Sequence, residues 1–305
     1  MVDNEAPIHT TVGTSTSFSM QAWEFDETQW TRRPTSTQPP IARWLAFDER
    51  RGLAVMFYPA TGYVIELAGN NWLPSTIRTP FLYGGATATY CPWLGVTVIA
   101  HADTGAMTLG YDGFTIFRFF PYNGPQPRGG SASVADTDRK RLVDTGGIEG
   151  SVQHSLHVFE FDHQYPGSAV TFGSGCPGAN GTPVHGMDGL PYLMSSVRLR
   201  LDSGPLGSQV SALALGVSNK TWGSLSLPLS LTNFGMAGCF LHTSIDLTIP
   251  LATLAGHSQI DVPIIGYNFN LVGRALYSQW FAIDATANVL GVVASNGLCS
   301  TVGSY

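Results

Sequence analysis

Charge is what this 305-residue chain has least of. Asp, Glu, Lys and Arg together make up 12% of it, about half of the usual quarter. Lys and Glu, the long-chained helix formers, are scarce, so an architecture of solvent-exposed helices is excluded. The net charge of −6 argues against a nucleic-acid partner, which would need a clustered basic surface. The only basic run, Arg139-Lys140-Arg141, reads as a solvated turn. No apolar stretch approaches the ~18 residues that a membrane-spanning helix needs. Met1 to Ser19 is polar and rich in Thr and Ser, without the basic start and apolar middle of a signal peptide. It is expected to be a flexible arm or an edge strand used in assembly. The four cysteines, Cys91, Cys176, Cys239 and Cys299, show no Cys-x-x-Cys spacing, so a zinc site is not expected. A Gly-x-Ser-x-Gly nucleophile elbow is also lacking, since Gly173-Ser174-Gly175 falls in a Gly-rich linker. A secreted hydrolase is therefore only a distant alternative.

What is abundant is turn chemistry. Gly (35) and Pro (19) punctuate short apolar runs, the composition of an all-β protein. Over residues 20–165 a unit recurs. Trp23-Glu-Phe-Asp-Glu-Thr-Gln-Trp30 reads as a hairpin. Ala46 to Asp48, the turn through Arg51-Gly52, the buried run Leu53 to Tyr58, and the hairpin Tyr63 to Trp72 form one complete round. Ala86 to Tyr90, Val96 to Ala100, Met107 to Tyr111 and Phe114 to Phe117 form a second. Ala132 to Ala135, Arg141 to Val143 and Leu156 to Phe161 form a third that lacks its last strand. The hairpin turns begin at Asp26, Ala68, Asp112 and Asp162, at intervals of 42, 44 and 50 residues, the period of four-stranded propeller blades. On the strand ending in Phe47-Asp48, the Arg-Arg-Gly turn, the apolar strand and the closing Trp, this half resembles Kelch-type β-propeller repeats. It departs from them at Tyr58-Pro-Ala-Thr-Gly62 and His101-Ala-Asp-Thr-Gly105, where a double glycine belongs. Asp144-Thr-Gly-Gly147 keeps it. One hairpin and about three blades cannot close a ring of four to eight. Open faces and edges invite a second chain, so a homo-oligomer or filament is expected, with Trp23–Trp30 filling the gap after Phe161. A stack of small sheets that never forms a ring is the competing architecture.

After Phe172-Gly-Ser-Gly-Cys-Pro-Gly178 the pattern changes to strands separated by Gly, Pro and Asn. Candidate strands are Tyr192–Leu201, Val210–Gly216, Leu225–Leu231, Cys239–Ser244, Ile245–Leu251, Gln259–Ile264, Ala275–Ile283 and Leu290–Ala294. In the first, Val197, Leu199 and Leu201 alternate with Arg198 and Arg200, the mark of a half-solvated antiparallel strand. Residues 173–305 are thus expected to form a β-sandwich or jelly roll. The runs Phe172 to Pro183, Leu215 to Asn219, Leu227-Pro-Leu229, Gly235-Met-Ala-Gly-Cys239, Leu276 to Trp280 and Ala294 to Leu298 resemble a Gly/Leu-rich, uncharacterised C-terminal domain of planctomycete-type extracellular proteins. The resemblance implies a secreted or surface protein and no activity. Cys176 and Cys239 lie in the two matching Gly-Cys pieces, which implies a disulfide between them. Cys91 and Cys299 are left either bonded to each other or as buried thiols.

Candidate chemistry is sparse. His157, Glu160, Asp162 and His163 lie close in sequence, although strand alternation puts His157 and Glu160 on opposite faces. Asp136, Asp138 and Asp144 are candidate calcium ligands through their carboxylate oxygens, with His101-Ala-Asp103 a weaker counterpart. Hairpin aromatics offer stacking surfaces for a glycan or partner, with Trp93, Trp44 and Tyr122 foremost and Trp93 expected to be exposed. Asn180-Gly-Thr and Asn219-Lys-Thr fit the glycosylation pattern. The preferred reading is a non-enzymatic extracellular or cell-surface structural protein that self-assembles through incomplete blades and its N-terminal arm. A lectin-like carbohydrate-binding module is the alternative.

Overall fold

The computed structural model describes residues 8–9, 22–25, 28–37, 44–58, 62–79, 85–101, 108–119, 129–149, 152–153, 156–160, 166–207, 210–264 and 269–304. The chain is all-β, built of antiparallel sheets, none closed into a barrel. It divides into two units, Met1–Asp162 and His163–Tyr305.

Among the described residues of the first unit there are four sheets. The first joins Ile8–His9, Ala22–Phe25 and Trp30–Arg33. The second is a meander of Trp44–Asp48, Leu53–Phe57, Tyr63–Ala68 and Asn71–Arg78. The third repeats it with Thr87–Cys91, Val96–Ala100, Thr108–Tyr111 and Ile116–Phe119. In the fourth, Arg141–Glu149 pairs with Gly129–Asp136 on one side, and with both Val152–Gln153 and Leu156–Glu160 on the other. The hairpin and the two complete four-strand rounds expected from the sequence are all present. Ile8–His9 pairs with Trp23 and Glu24 of its own chain, so part of the N-terminal arm is built into the first sheet.

The repeat is clearest at one turn. Asp48, Cys91 and Asp136 each end the first strand of a meander, 43 and 45 residues apart. Four residues after each, the backbone is left-handed: Gly52 (φ 67°), Gly95 (66°) and Lys140 (52°). A left-handed residue turns the chain straight back into the second strand, and glycine takes that conformation without steric cost. The Gly52 and Gly95 amides donate to the carbonyls of Asp48 and Cys91 at 2.8 and 2.9 Å. Asp48 Oδ1 accepts from the Arg51 amide at 3.1 Å, and Asp136 Oδ1 accepts from the Arg139 amide at 3.2 Å.

Packing follows from strand alternation. In the second sheet, Trp44, Val55, Phe57 and Val64 face the third sheet, where Ile99, Leu109 and Tyr111 complete one core. Ala54, Met56, Ile65, Leu67 and Trp72 face the opposite way and cluster with Ala22 of the first sheet. The second sheet is therefore buried on both faces, which is why Leu53–Phe57 reads as a continuous apolar run. In the third sheet all five residues of Val96–Ala100 are buried. The first strands of the second, third and fourth sheets are spatial neighbours in that order.

The second unit is a two-sheet sandwich. The five-stranded sheet runs Ser168–Phe172, Val292–Thr301, Ala275–Ile283, Val210–Gly216, Leu247–Ala252. The three-stranded sheet runs Val184–Asp188, Ser196–Asp202, Ser258–Pro263. Leu199 and Leu201 from one sheet meet Leu213, Trp280, Ala282 and Leu298 from the other. Ser168–Phe172 pairs with Gly297 to Thr301, so the second unit begins before the Gly-rich stretch that marks the change in composition. Val184–Asp188 has no strand-like run of branched residues. Its Gly186 lies directly beneath the Arg200 guanidinium, where a Cβ would come within 3.0 Å. Leu225–Leu231 and Cys239–Ser244 form only two-residue strands, Leu225–Ser226, Leu229–Ser230 and Phe240–Leu241, interrupted by Gly223, Pro228, Gly235 and Gly238. This excursion is held to the sheet by Gln279, a buried side chain that accepts from the His242 amide at 2.8 Å. The same side chain donates to the carbonyls of Phe240 and Ser295 at 2.9 and 2.8 Å.

Candidate functional site

The first unit has sheets at its two ends as well as in its middle, and the end sheets differ from the interior ones. In the first sheet, Ala22 faces the second sheet, so alternation sends Trp23 and Phe25 outward. Trp30 is paired opposite Phe25, its ring centroid 5.1 Å from that of Phe25, and is 48% exposed. This outward face is aromatic. In the fourth sheet, Ser133 and Asp144 face the third sheet. The Ser133 hydroxyl lies 2.6 Å from that of Thr87, and its carbonyl accepts from the Thr89 hydroxyl at 3.0 Å. The residues one position along, Val134 and Val143, are paired with each other, and Val143 with Val158. Three valines on three adjacent strands thus form a row pointing away from the stack. Val134 is 61% and Val158 42% exposed. Among the described residues no further sheet lies on either end face, where each interior sheet face meets another sheet.

Between these faces two polar clusters join neighbouring sheets. His101 is fully buried, and its left-handed backbone (φ 55°) breaks strand alternation and turns its ring toward the fourth sheet. Its Nε2 donates to Asp144 Oδ2 at 2.6 Å, while the Ser133 hydroxyl donates to Asp144 Oδ1 at 3.1 Å. Serine, aspartate and histidine meet here, but the aspartate stands between the other two, which is not the order of a Ser-His-Asp triad. A second cluster joins the second and third sheets. Arg51 bridges Asp48 and Glu66, each at 2.6 Å, and the Tyr111 hydroxyl donates to Glu66 at 2.6 Å. Burial, followed by that hydrogen bond to Glu66, pushes the Tyr111 phenol well above its ordinary range.

The candidate residues from the sequence separate accordingly. Trp44 is buried in the core shared by the second and third sheets. Trp93 is half-buried rather than exposed, with its indole nitrogen out of water, because Leu94 beside it is drawn into the core. Tyr122, Asp103, Phe161, Asp162 and His163 lie outside the described residues. Asp136 is engaged by Arg139 and Arg141, Asp138 is exposed on the turn, and Asp144 is held by His101 and Ser133. The three candidate calcium ligands thus do not converge. Among the described residues no group of three His, Cys, Asp or Glu side chains could hold a metal ion. His157 is paired with Asp144 across the fourth sheet.

Cys176 and Cys239 are joined by a disulfide spanning 63 residues of sequence. Cys91 and Cys299 are free thiols, and burial pushes the Cys91 thiol far above its ordinary range. The end faces escaped a reading based on single residues. Each is composed of ordinary Val, Phe and Trp, and only cross-strand register shows that they share a side. No protein-family model matches the chain, and no curated protein matches it either.

Proposed function

We propose that this chain is a non-enzymatic structural protein of the cell exterior that associates head to tail with further copies of itself. The observation that carries the reading is the pair of apolar end faces. A stack whose interior sheets bury both sides ends in an aromatic face at Trp23, Phe25 and Trp30 and in a valine row at Val134, Val143 and Val158. The two faces differ, so contact between them is heterologous and extends to a ring or a filament. The adjacency of successive first strands supports a propeller-like continuation, in which the first sheet of one copy follows the fourth sheet of the next. The disulfide and the resemblance of the second half to extracellular domains support an oxidising setting.

Sedimentation velocity of the full chain at micromolar concentration tests this. The wild type is expected to form species larger than a dimer. Trp30→Glu and Val134→Glu, each spoiling one end, are expected to be monomeric alone. Mixed together they should stop at a dimer, since each retains one sound face. A wild type that stays monomeric throughout removes the reading. A monomer that binds immobilised glycans and loses that binding with Trp30→Ser would instead favour the carbohydrate-binding alternative.

A further inference from the structure

A different surface, in the second unit, carries an inference independent of assembly. A cavity of about 390 Å³ lies against the side of the five-stranded sheet that faces away from the sandwich core. Its floor is Ala212 and Ala214, small residues that alternate with the core-facing Leu213. Its far wall is the excursion that includes Trp222 and Met236, and this wall is fixed. The Leu231 amide donates to the Cys239 carbonyl at 2.9 Å, and Cys239 is bonded to Cys176. Gly235, left-handed at φ 85°, lies close against Val289 and Leu290, and its carbonyl accepts from the Leu290 amide at 3.4 Å. The cavity is therefore bounded by constrained backbone rather than by loosely packed side chains.

Its chemistry is one-sided. Of the fourteen lining residues none is charged, and Thr248 supplies the one hydroxyl. The mouth is apolar as well: Phe234 is 60% and Leu290 53% exposed, with Val289 next to them almost fully exposed. A polar metabolite would leave its hydrogen-bonding groups unmatched in such a site. Large apolar side chains at an opening, grouped rather than scattered, mark a binding surface. The volume falls within the range of small-molecule sites and is more than twice the ~150 Å³ of an engineered apolar cavity that takes up benzene. We infer that this cavity binds a single alkyl or acyl chain of an amphiphile, with the chain against Ala212 and Ala214 and the head group in water beyond Phe234 and Leu290.

The test uses the full chain and an uncharged naphthylamine dye whose fluorescence rises in apolar surroundings, displaced by straight-chain alkanols. Affinity is expected to rise about fourfold for each added methylene and then level off once the cavity is full. Ala214→Trp, which fills the floor, should weaken dye binding at least tenfold. Phe234→Ser, at an exposed position where folding is not at risk, should weaken it severalfold. Asp138→Asn, on an exposed turn of the first unit, should leave it unchanged. Absence of dye binding by the wild type overturns the inference. So does affinity that climbs without a plateau, or a Phe234→Ser variant that binds as the wild type does.

Discussion

The two units solve the same problem in opposite ways. In the second, two sheets close on each other, and Leu199, Leu201, Leu213 and Trp280 complete a core that needs no further layer. In the first, each sheet is covered by the next, so the second and third are buried on both sides, the third through polar as well as apolar contacts. A sandwich is finished after two layers, whereas this stack of meanders ends on two faces that no further sheet among the described residues covers. The Val134–Val143–Val158 row and the Trp23–Phe25–Trp30 face are those ends. The comparison teaches that the same composition, rich in turns and poor in charge, can give a closed body or an open one. Register decides which side chains are left over.

The sharpest way to test that contrast is to cut large side chains from each class of face. Phe57→Ala removes a fully buried ring between the second and third sheets and should cost about 3–5 kcal/mol. Hydrogen exchange should then report the loss in the first unit. Separating the Cys176–Cys239 bridge by a double Cys→Ser change should cost about 4 kcal/mol in the chain-entropy model. That loss should fall on the second unit and spare the first. If the first unit is equally weakened, the two do not stand as separate bodies.

A third expectation concerns acid. His185, inside the sandwich, must donate from Nδ1 to the Arg200 carbonyl at 3.2 Å, so its Nε2 accepts from the Ser278 hydroxyl at 2.7 Å. Burial, outweighing its hydrogen bonds to backbone, lowers its pKa from 6.5 to about 4. Between those values the unfolded chain takes up a proton that the folded chain refuses. Stability attributable to this ring is therefore constant above pH 6.5 and declines as pH falls toward 4, by about 3 kcal/mol in all. Urea unfolding monitored by tryptophan emission at several pH values should show this slope for the second unit, and His185→Gln should flatten it.

Smaller effects complete the series. Lys140→Gly relieves a left-handed backbone at a non-glycine residue and should stabilise the first unit by about 1 kcal/mol. Val134→Ala, on an end face, should change monomer stability by less than about 0.5 kcal/mol while weakening self-association. A loss comparable to that of Phe57→Ala would mean that the valine row is covered within the monomer.

Much of this architecture was readable from the residues, and the failures have physical causes. Period-2 alternation and turn glycines located the meanders, because Leu53–Phe57 and Val96–Ala100 are buried on both faces and announce themselves as apolar runs. Val210–Gly216 and Ala275–Ile283 were legible to the residue because each is a mostly apolar run set off by turn residues. Val184–Asp188 was not, since its identity as a strand comes from Arg200 lying over Gly186 rather than from its own side chains. The excursion between Trp222 and Leu241 reads as longer strands because leucines recur there. Their side chains line the cavity, and their strand pairing extends over only two residues at a time. The end faces were foreseen as a consequence of too few repeats, but the valine row needed the pairing of three strands to be seen. The amphiphile cavity had no sequence signal, being assembled from small and apolar residues distributed between positions 212 and 292.

The turn shared by Asp48, Cys91 and Asp136 has a consequence for engineering. One backbone path is closed by two different glycines and a lysine, with an Asp–Arg clasp in two cases and a Pro-Trp pair in the third. The path is set by the meander, but two of the loops also reach inward, through Arg51 to Glu66 and through Leu94 to the core. Residues 137–140, all exposed, form the turn on which a new recognition loop could be grafted without disturbing either.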